Sequence, residues 1–151
     1  MQSIIRNLQN TLNGEPWYGK PILALLQGAD PAQVNVKPNA NSHTLNELLY
    51  HMIYWAEFTL NCVHGIRPPV DYDDLDWPAI DPVEQTWQKG LSRFKTIHGQ
   101  LTDQLQTKDD TLLKEMVEGT RYNFRFMLNG LIQHNIYHVA QIAYITKLLD
   151  T

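Results

Sequence analysis

Apolar residues recur at intervals of three and four in four separate stretches of the chain, which is the spacing of one face of an α-helix. The stretches run from about residue 4 to 26, 45 to 62, 83 to 106 and 123 to 149. Pro16 and Pro21 fall inside the first stretch, so we expect a break or kink there rather than one straight helix. Four amphipathic helices without a convincing strand pattern predict an all-α protein built as a four-helix bundle.

Two of the predicted helices begin with capping patterns. Thr44 and Glu47 stand three residues apart ahead of an apolar run, which is the spacing of a capping box. Asp81, Pro82 and Glu84 form another start signal, because aspartate favours the N-cap and proline the first helical position. We therefore expect the second helix to begin after Thr44 and the third to begin after Asp81.

The second and third helices are joined by a long connection. Gly65 is a natural helix-ending residue, and the residues from 65 to 80 can run the length of a 20-residue helix at about 3.3 Å per residue. The third helix therefore need not be antiparallel to the second. The connection holds four carboxylates that suggest a calcium loop but lacks the glycine and closing glutamate of an EF-hand: Asp71, Asp73, Asp74 and Asp76. We favour a solvated crossover with Trp77 packed against the bundle.

The chain between 112 and 122 has the weakest pattern. Gly119 followed by Thr120 indicates a turn between two short extended pieces. The last helix is expected to begin near Asn123 and to end near Leu149.

Length and composition favour one globular domain that spans residues 1–151. Hydrophobic residues make up 43% of the chain and charged residues 19%, which suffices for a core without disulfides. A net charge of −4 without clustered lysine and arginine argues against nucleic acid. The single cysteine, the lack of a signal-peptide pattern and apolar runs too short to span a bilayer predict a cytoplasmic protein without a membrane segment.

His134 and His138 are the first candidates for chemistry. They stand one turn apart on the apolar stripe of the last helix, where leucine would otherwise be expected. Burying two imidazoles costs several kcal/mol unless each polar nitrogen finds a partner. A metal ion would satisfy both at once, while paired side chains or waters could satisfy them separately.

His51 adds a third imidazole at the centre of an apolar stripe, on a helix that faces the same core. Three inward histidines can meet at one level of a helical bundle, where such proteins build metal sites. Three imidazoles with one position left for water or substrate form the ligand set of catalytic zinc. Since protonated imidazole cannot bind metal, affinity should fall as the pH drops through about 6.5.

The other histidines and the cysteine have simpler interpretations. His98 lies on the stripe of its helix and is interpreted as a core or subunit-interface residue rather than a fourth ligand. His43 is expected in a loop and His64 at a helix end, where the dipole favours its protonated form. Cys62 lies about 16 Å along the helix from His51, too far to share a metal, and is expected to be a core thiol.

Three polar residues could support the histidines from outside. Gln141 and Tyr137 stand near His138 and could accept the second N–H of an imidazole or contact its bound water. A solvated helix flank explains both equally well. Glu47 is primarily the capping-box partner, one turn before His51.

The two histidine segments resemble those of the DinB-like (YfiT-type) superfamily of metal-dependent bundles. Residues 134–142, His-Asn-Ile-Tyr-His-Val-Ala-Gln-Ile, are similar to its final-helix motif, in which Gly-Gln-Ile follows the second histidine. Ala140 replaces that glycine, a small-for-small change that leaves the ligands untouched. Residues 43–55 resemble the second-helix signature, with its cap, histidine and following tryptophan, and residues 17–19, Trp-Tyr-Gly, also look familial.

This resemblance, which covers essentially the whole chain, implies a four-helix bundle in up-down-down-up order with the long crossover between the second and third helices. It implies His51, His134 and His138 as ligands of a divalent ion such as nickel or zinc, with water completing the shell. Homodimers are common in the family. Its characterised members include thiol-dependent S-transferases and a thiol-dependent isomerase.

The leading functional hypothesis is therefore a metal-dependent enzyme. A thiol-dependent S-transferase would take a small thiol and an electrophilic small molecule, whereas a hydrolase would use metal-bound water. The alternative is a non-catalytic dimeric bundle that binds a metal or small ligand. A structural protein whose three histidines are satisfied without metal is a further interpretation.

Overall fold

The computed structural model describes residues 1–66, 76–77 and 79–150. Within these ranges the chain forms five α-helices and one 3-10 turn: α1 (Gln2–Asn13), α2 (Ile22–Gln27), α3 (Leu45–Val63), α4 (Trp87–Gln106), the turn Leu112–Lys114 and α5 (Phe124–Leu149). The described part contains no strand beyond one isolated bridge between Met116 and Asn123. The predicted all-α class is confirmed. Among the described helices, none has the length and apolar character needed to cross a membrane.

The start of α3 follows the predicted capping box. The Thr44 side chain accepts a hydrogen bond from the Glu47 amide at 3.0 Å, and the Glu47 carboxylate accepts one from the Thr44 amide at 2.7 Å. At the other end His64 is the C-cap and Gly65 follows with φ +75°, a conformation that glycine adopts without strain. His64 therefore lies at a helix end, as predicted.

The predicted start of the third helix at Asp81 is wrong, because α4 begins at Trp87 with Thr86 as its N-cap. Asp81 does accept a hydrogen bond from the Val83 amide at 2.9 Å, but the turn it caps ends before Thr86, whose backbone is extended. Two side chains of α3 hold this junction. The Asn46 amide group donates to the Gln85 carbonyl at 2.8 Å, and the Tyr50 hydroxyl donates to the Thr86 carbonyl at 3.1 Å.

The remaining boundaries agree with the pattern. The first stretch is divided into α1 and α2 around Pro16 and Pro21, as expected. Asn123 caps α5 by accepting from the Phe126 amide at 3.0 Å. Before it the chain turns at Gly119, with φ +75°, and the Val117 amide donates to the Tyr122 carbonyl at 2.9 Å.

Helix α3 lies at the centre of the packing, where it contacts both α4 and α5, while α1 and α2 pack against the other faces of those two helices. Its inward residues are fully buried, among them Leu45, Leu49 and Met52. Gly90 allows α4 to come close, because a Cβ atom there would lie 2.8 Å from a methyl carbon of Leu49. Helices α3 and α5 also pack directly against each other, which brings side chains of the two helices into contact.

Candidate metal centre

His51, His134 and His138 meet between α3 and α5. One ring nitrogen from each lies within 4.8 Å of the others. The Nε2 atoms of His51 and His134 are 2.9 Å apart, and the ring centroids of His134 and His138 are 4.4 Å apart. His51 and His138 are buried, with 3% and 6% of their surface exposed, and His134 is half-buried. The three residues singled out in the sequence are therefore brought to one place.

The outer nitrogens of two of these rings have defined partners. His51 Nδ1 donates to the Asp76 backbone carbonyl at 2.6 Å, and His138 Nδ1 donates to the Gln141 side-chain oxygen at 2.7 Å. A carbonyl oxygen can only accept, so each Nδ1 carries the proton and each Nε2 keeps its lone pair. His134 Nε2 must then donate to His51 Nε2 in the short contact between them. Fixing the tautomer in this way prepares two Nε2 atoms to bind a cation.

Asp76 and Trp77, from the connection after α3, both contact His51. The Asp76 carboxylate accepts a hydrogen bond from Trp55 Nε1 at 2.8 Å, on the same helix as His51. The Trp77 ring lies flat between two imidazoles, 3.7 Å from the centroid of His43 and 3.9 Å from that of His51. This contact fixes the plane of the His51 ring as well as its tautomer.

The predicted packing of Trp77 against the bundle is confirmed, and His43 does lie before α3 outside any helix. That Asp76 and His43 take part in holding His51 was not predicted. Asp76 accepts a hydrogen bond from His51 through its main-chain carbonyl, a group that every residue type possesses and that carries no sequence signal. Its carboxylate also lies 3.5 Å from His51 Nδ1, but the sequence did not distinguish Asp76 from the other aspartates of the connection. The calcium-loop residues Asp71, Asp73 and Asp74 lie outside the described residues.

Burial lowers the pKa of all three imidazoles. The effect is largest at His134, whose pKa falls to about 3 because of desolvation first and the neighbouring His138 and His51 rings next. Desolvation also lowers the pKa of His51 and His138, although Asp76 and Gln141 act in the opposite direction. All three rings are therefore neutral near pH 7, which is the form that binds metal.

The donor set fits a divalent transition metal. Tetrahedral zinc with bonds of 2.0–2.1 Å would separate its nitrogen ligands by about 3.3 Å. The Nε2 atoms of His51 and His134 are 2.9 Å apart, and one ring nitrogen from each of the three residues lies within 4.8 Å of the others, so the observed range includes that spacing. Imidazole suits zinc, nickel, copper and iron alike, so the residues define a site without selecting one ion.

The three polar residues that the sequence suggested as supports for the histidines have different contacts in the structure. Gln141 contacts His138 directly, as described above, and the exposed Tyr137 places its ring edge-on to His138 at 4.9 Å. Glu47 is taken up by its capping box and by a contact of its carboxylate with His43 at 3.6 Å. Of these three residues, Gln141 forms a hydrogen bond with a candidate ligand, and Glu47 keeps its structural role.

His98 and Cys62 are core residues, as predicted. His98 is 2% exposed, donates from Nδ1 to the Phe94 carbonyl at 2.8 Å, and accepts at Nε2 from the Asn135 amide group at 2.9 Å. Both of its nitrogens are thereby satisfied away from the three-histidine cluster. Cys62 is buried, and burial raises the pKa of its thiol to about 11.

An all-α chain that brings three neutral imidazoles together between two helices has the features of a helical metal-binding protein. The family model of the DinB superfamily matches residues 20–142, which include all three histidines. The chain therefore belongs to the DinB superfamily. No curated protein and no solved structure matches it significantly.

Acidification should destabilise the protein through His98. Burial lowers its pKa from 6.5 to about 4, so the unfolded chain binds this proton more readily than the folded one. The stabilisation is complete above pH 6.5 and is lost towards pH 4, with a slope of about 1.4 kcal/mol per pH unit from this residue. Urea unfolding between pH 4.5 and 7.5 should show a shallower pH slope for His98→Gln than for the parent protein. Equal slopes would contradict the assignment.

Proposed function

We propose that this protein is a metal-dependent enzyme whose divalent ion, nickel or zinc, is bound by His51, His134 and His138. The observation that carries this proposal is the convergence of three neutral imidazoles, two of which have their outer nitrogens held by acceptors. Three imidazole ligands leave a coordination position for water or substrate. Membership of the DinB superfamily supports the same interpretation.

The residues around the cluster have distinct roles in this proposal. The Asp76 carbonyl and the Gln141 side chain orient two ligands, and the stacked Trp77 covers one face of His51 and excludes water from it. When bound, the ion would act as a Lewis acid that lowers the pKa of a coordinated thiol or water. Three neutral imidazoles would leave the positive charge of a bound ion uncompensated, so the site would suit an anionic ligand.

Two reaction classes use such a site. In thiol-dependent S-transfer, the thiolate sulfur forms a bond to an electrophilic carbon and the leaving group departs with its electron pair. In hydrolysis, water would be the nucleophile, and a base would have to accept its proton. Within the described part of the chain the cluster consists of histidines alone. The Asp76 carboxylate, 3.5 Å from His51 Nδ1, accepts the Trp55 indole N–H, and Glu47 is engaged in capping. We therefore favour a low-molecular-weight thiol and an electrophilic small molecule as substrates.

Further features belong to the proposal. We infer a single domain over residues 1–151 with a four-helix, up-down-down-up arrangement, in which α1 and α2 together form the first helix. A homodimer in the cytoplasm, without nucleic-acid or membrane partners, is our expectation from the sequence and the family resemblance.

A non-catalytic bundle that binds a metal or small ligand is the second candidate. One observation favours an even simpler case, a cluster satisfied without metal: His134 and His51 form a hydrogen bond with each other at 2.9 Å. Within the described residues, however, His134 Nδ1 is buried without a partner, so this arrangement does not satisfy every nitrogen.

Metal should stabilise the folded protein. At a free zinc or nickel concentration of 100 times Kd, the free energy of unfolding should rise by about 2.7 kcal/mol. His134→Ala should abolish this gain, whereas His64→Ala, at the exposed end of α3, should retain it. Protein purified without a histidine tag should contain metal by elemental analysis. Absence of both metal and stabilisation would contradict the proposed centre.

The same titration should depend on pH in a defined direction. Because burial lowers the pKa of the three imidazoles, protons should compete with metal only below pH 6.5, at a lower pH than the sequence alone predicts. An affinity unchanged between pH 8 and pH 4 would argue against histidine ligands.

Loss of Gln141 should weaken metal binding while leaving the fold intact. Gln141→Leu removes the acceptor of His138 Nδ1, and losses of such partners typically reduce metal affinity about 10–100-fold. Gln133→Leu, an exposed change on the same helix, is the matched control and should bind metal like the parent. Calorimetric titration with zinc would measure both. Equal affinities would remove Gln141 from the site.

Catalysis can be separated from binding by following thiol consumption. The metal-loaded protein, mixed with a small thiol and a panel of electrophiles, should consume thiol faster than the metal-free protein, and His134→Ala should abolish the difference. Hydrolysis of activated esters without thiol would favour the hydrolase instead. Metal binding without either reaction would favour the non-catalytic bundle.

A further inference from the structure

An apolar groove of about 240 Å³ lies between α3 and α5 and ends at His134. One wall comes from α3 and the other from α5 and the segment before it. The lining residues other than His134 are Trp55, Phe58, Thr59, Tyr122, Phe126, Met127, Gly130 and Leu131. The groove is therefore adjacent to His134, the half-buried histidine of the cluster.

The side of the groove formed by α3 is apolar. Trp55 uses its indole N–H for the Asp76 carboxylate at 2.8 Å, and Thr59 donates its hydroxyl to the Trp55 carbonyl at 2.9 Å. Their polar hydrogens are thus directed to protein acceptors. Four aromatic side chains complete a surface that favours an apolar, flat occupant, because aromatic rings pack well edge-to-face or offset.

Size restricts what the groove can accept. A cavity of about 150 Å³ holds one benzene molecule, whereas pockets for whole drug-sized ligands start at about 300 Å³. At about 240 Å³ the groove suits one aromatic ring or a short alkyl chain.

We propose that this groove binds a single aromatic ring of a ligand whose polar end reaches the three-histidine site. The observation that carries this proposal is that His134 belongs both to the lining of the groove and to the three-histidine cluster. A ring bound in the groove would therefore lie next to the cluster. It rests on the proposed metal centre and adds the substrate class, namely an aryl-bearing electrophile.

Gly130 provides a direct way to fill the groove. Its backbone lines the groove on α5, and an added Cβ atom would meet nothing within 4 Å. Gly130→Leu should therefore occupy the space without disturbing the core, and leucine favours the helix more than glycine does. Gly99→Leu is the matched control, since Gly99 is also helical with open space, lies on α4 and does not line this groove.

The test compares two metal-binding probes on the zinc-loaded protein by calorimetry. Acetohydroxamic acid carries only a methyl group, whereas benzohydroxamic acid adds the ring. The parent and Gly99→Leu should bind the aryl probe at least about tenfold more tightly, because the ring is buried. In Gly130→Leu this advantage should vanish while the affinity for acetohydroxamic acid is unchanged. Equal affinities for the two probes in the parent, or an advantage that survives Gly130→Leu, would overturn the proposal.

A second measurement tests ligand binding in the groove independently of metal binding. Zinc-free protein titrated with toluene should show saturable shifts of the Leu131 amide resonance in the parent and Gly99→Leu, and none in Gly130→Leu. If neither hydroxamate binds, the proposed metal centre fails, and the toluene result alone decides the groove. Absence of saturable shifts in the parent would overturn the groove as a binding site.

Discussion

The burial of three imidazoles at one level of the helical core is the constraint on which the surrounding structure depends. A polar nitrogen removed from water without a partner costs several kcal/mol, and the three rings bring six such atoms together. Within the described residues four of these nitrogens have hydrogen-bond partners, while His134 Nδ1 is buried without one. His51 and His138 have acceptors for their outer N–H groups, and the inner nitrogens face one another.

The same constraint explains why part of the connection after α3 lies against the helices. Asp76 supplies a carbonyl to His51 and a carboxylate to Trp55, so one residue fixes two side chains on one helix. Trp77 adds a flat surface between His43 and His51. The plane and the tautomer of one candidate ligand are thus set by a segment distant in sequence from α5, where the other two candidate ligands lie. Metal affinity is therefore expected to depend on this segment as well as on the helices.

Histidines on similar apolar stripes have different roles because their partners differ. His98 and His51 are both buried and nearly inaccessible to water. His98 has one partner for each nitrogen, a main-chain carbonyl and the Asn135 amide, so it has no lone pair left for a ligand. His51 donates from its outer nitrogen to a main-chain carbonyl, whereas its inner nitrogen meets the ring nitrogens of two further candidate ligands, His134 and His138. Burial alone does not make a histidine a candidate metal ligand. The histidine also needs a ring nitrogen that lies close to the ring nitrogens of other candidate ligands.

The sequence by itself determined the helices, most of their ends and the three histidines. Helical periodicity requires only local spacing, so α3, α5 and the inward faces of His51, His134 and His138 follow from it. The start of α4 did not, because hydrogen bonds from Asn46 and Tyr50 fix the junction at Thr86.

The tertiary structure decided what surrounds the histidines. The carbonyl of Asp76, the ring of Trp77 between two imidazoles and the groove beside His134 depend on which surfaces meet when the helices pack. Such contacts join residues far apart in the chain and use main-chain atoms that all residues share. The residue pattern therefore identified the candidate ligands. Their orientation, the lowered pKa that keeps their imidazoles neutral and the position of His134 beside an apolar groove arose from packing.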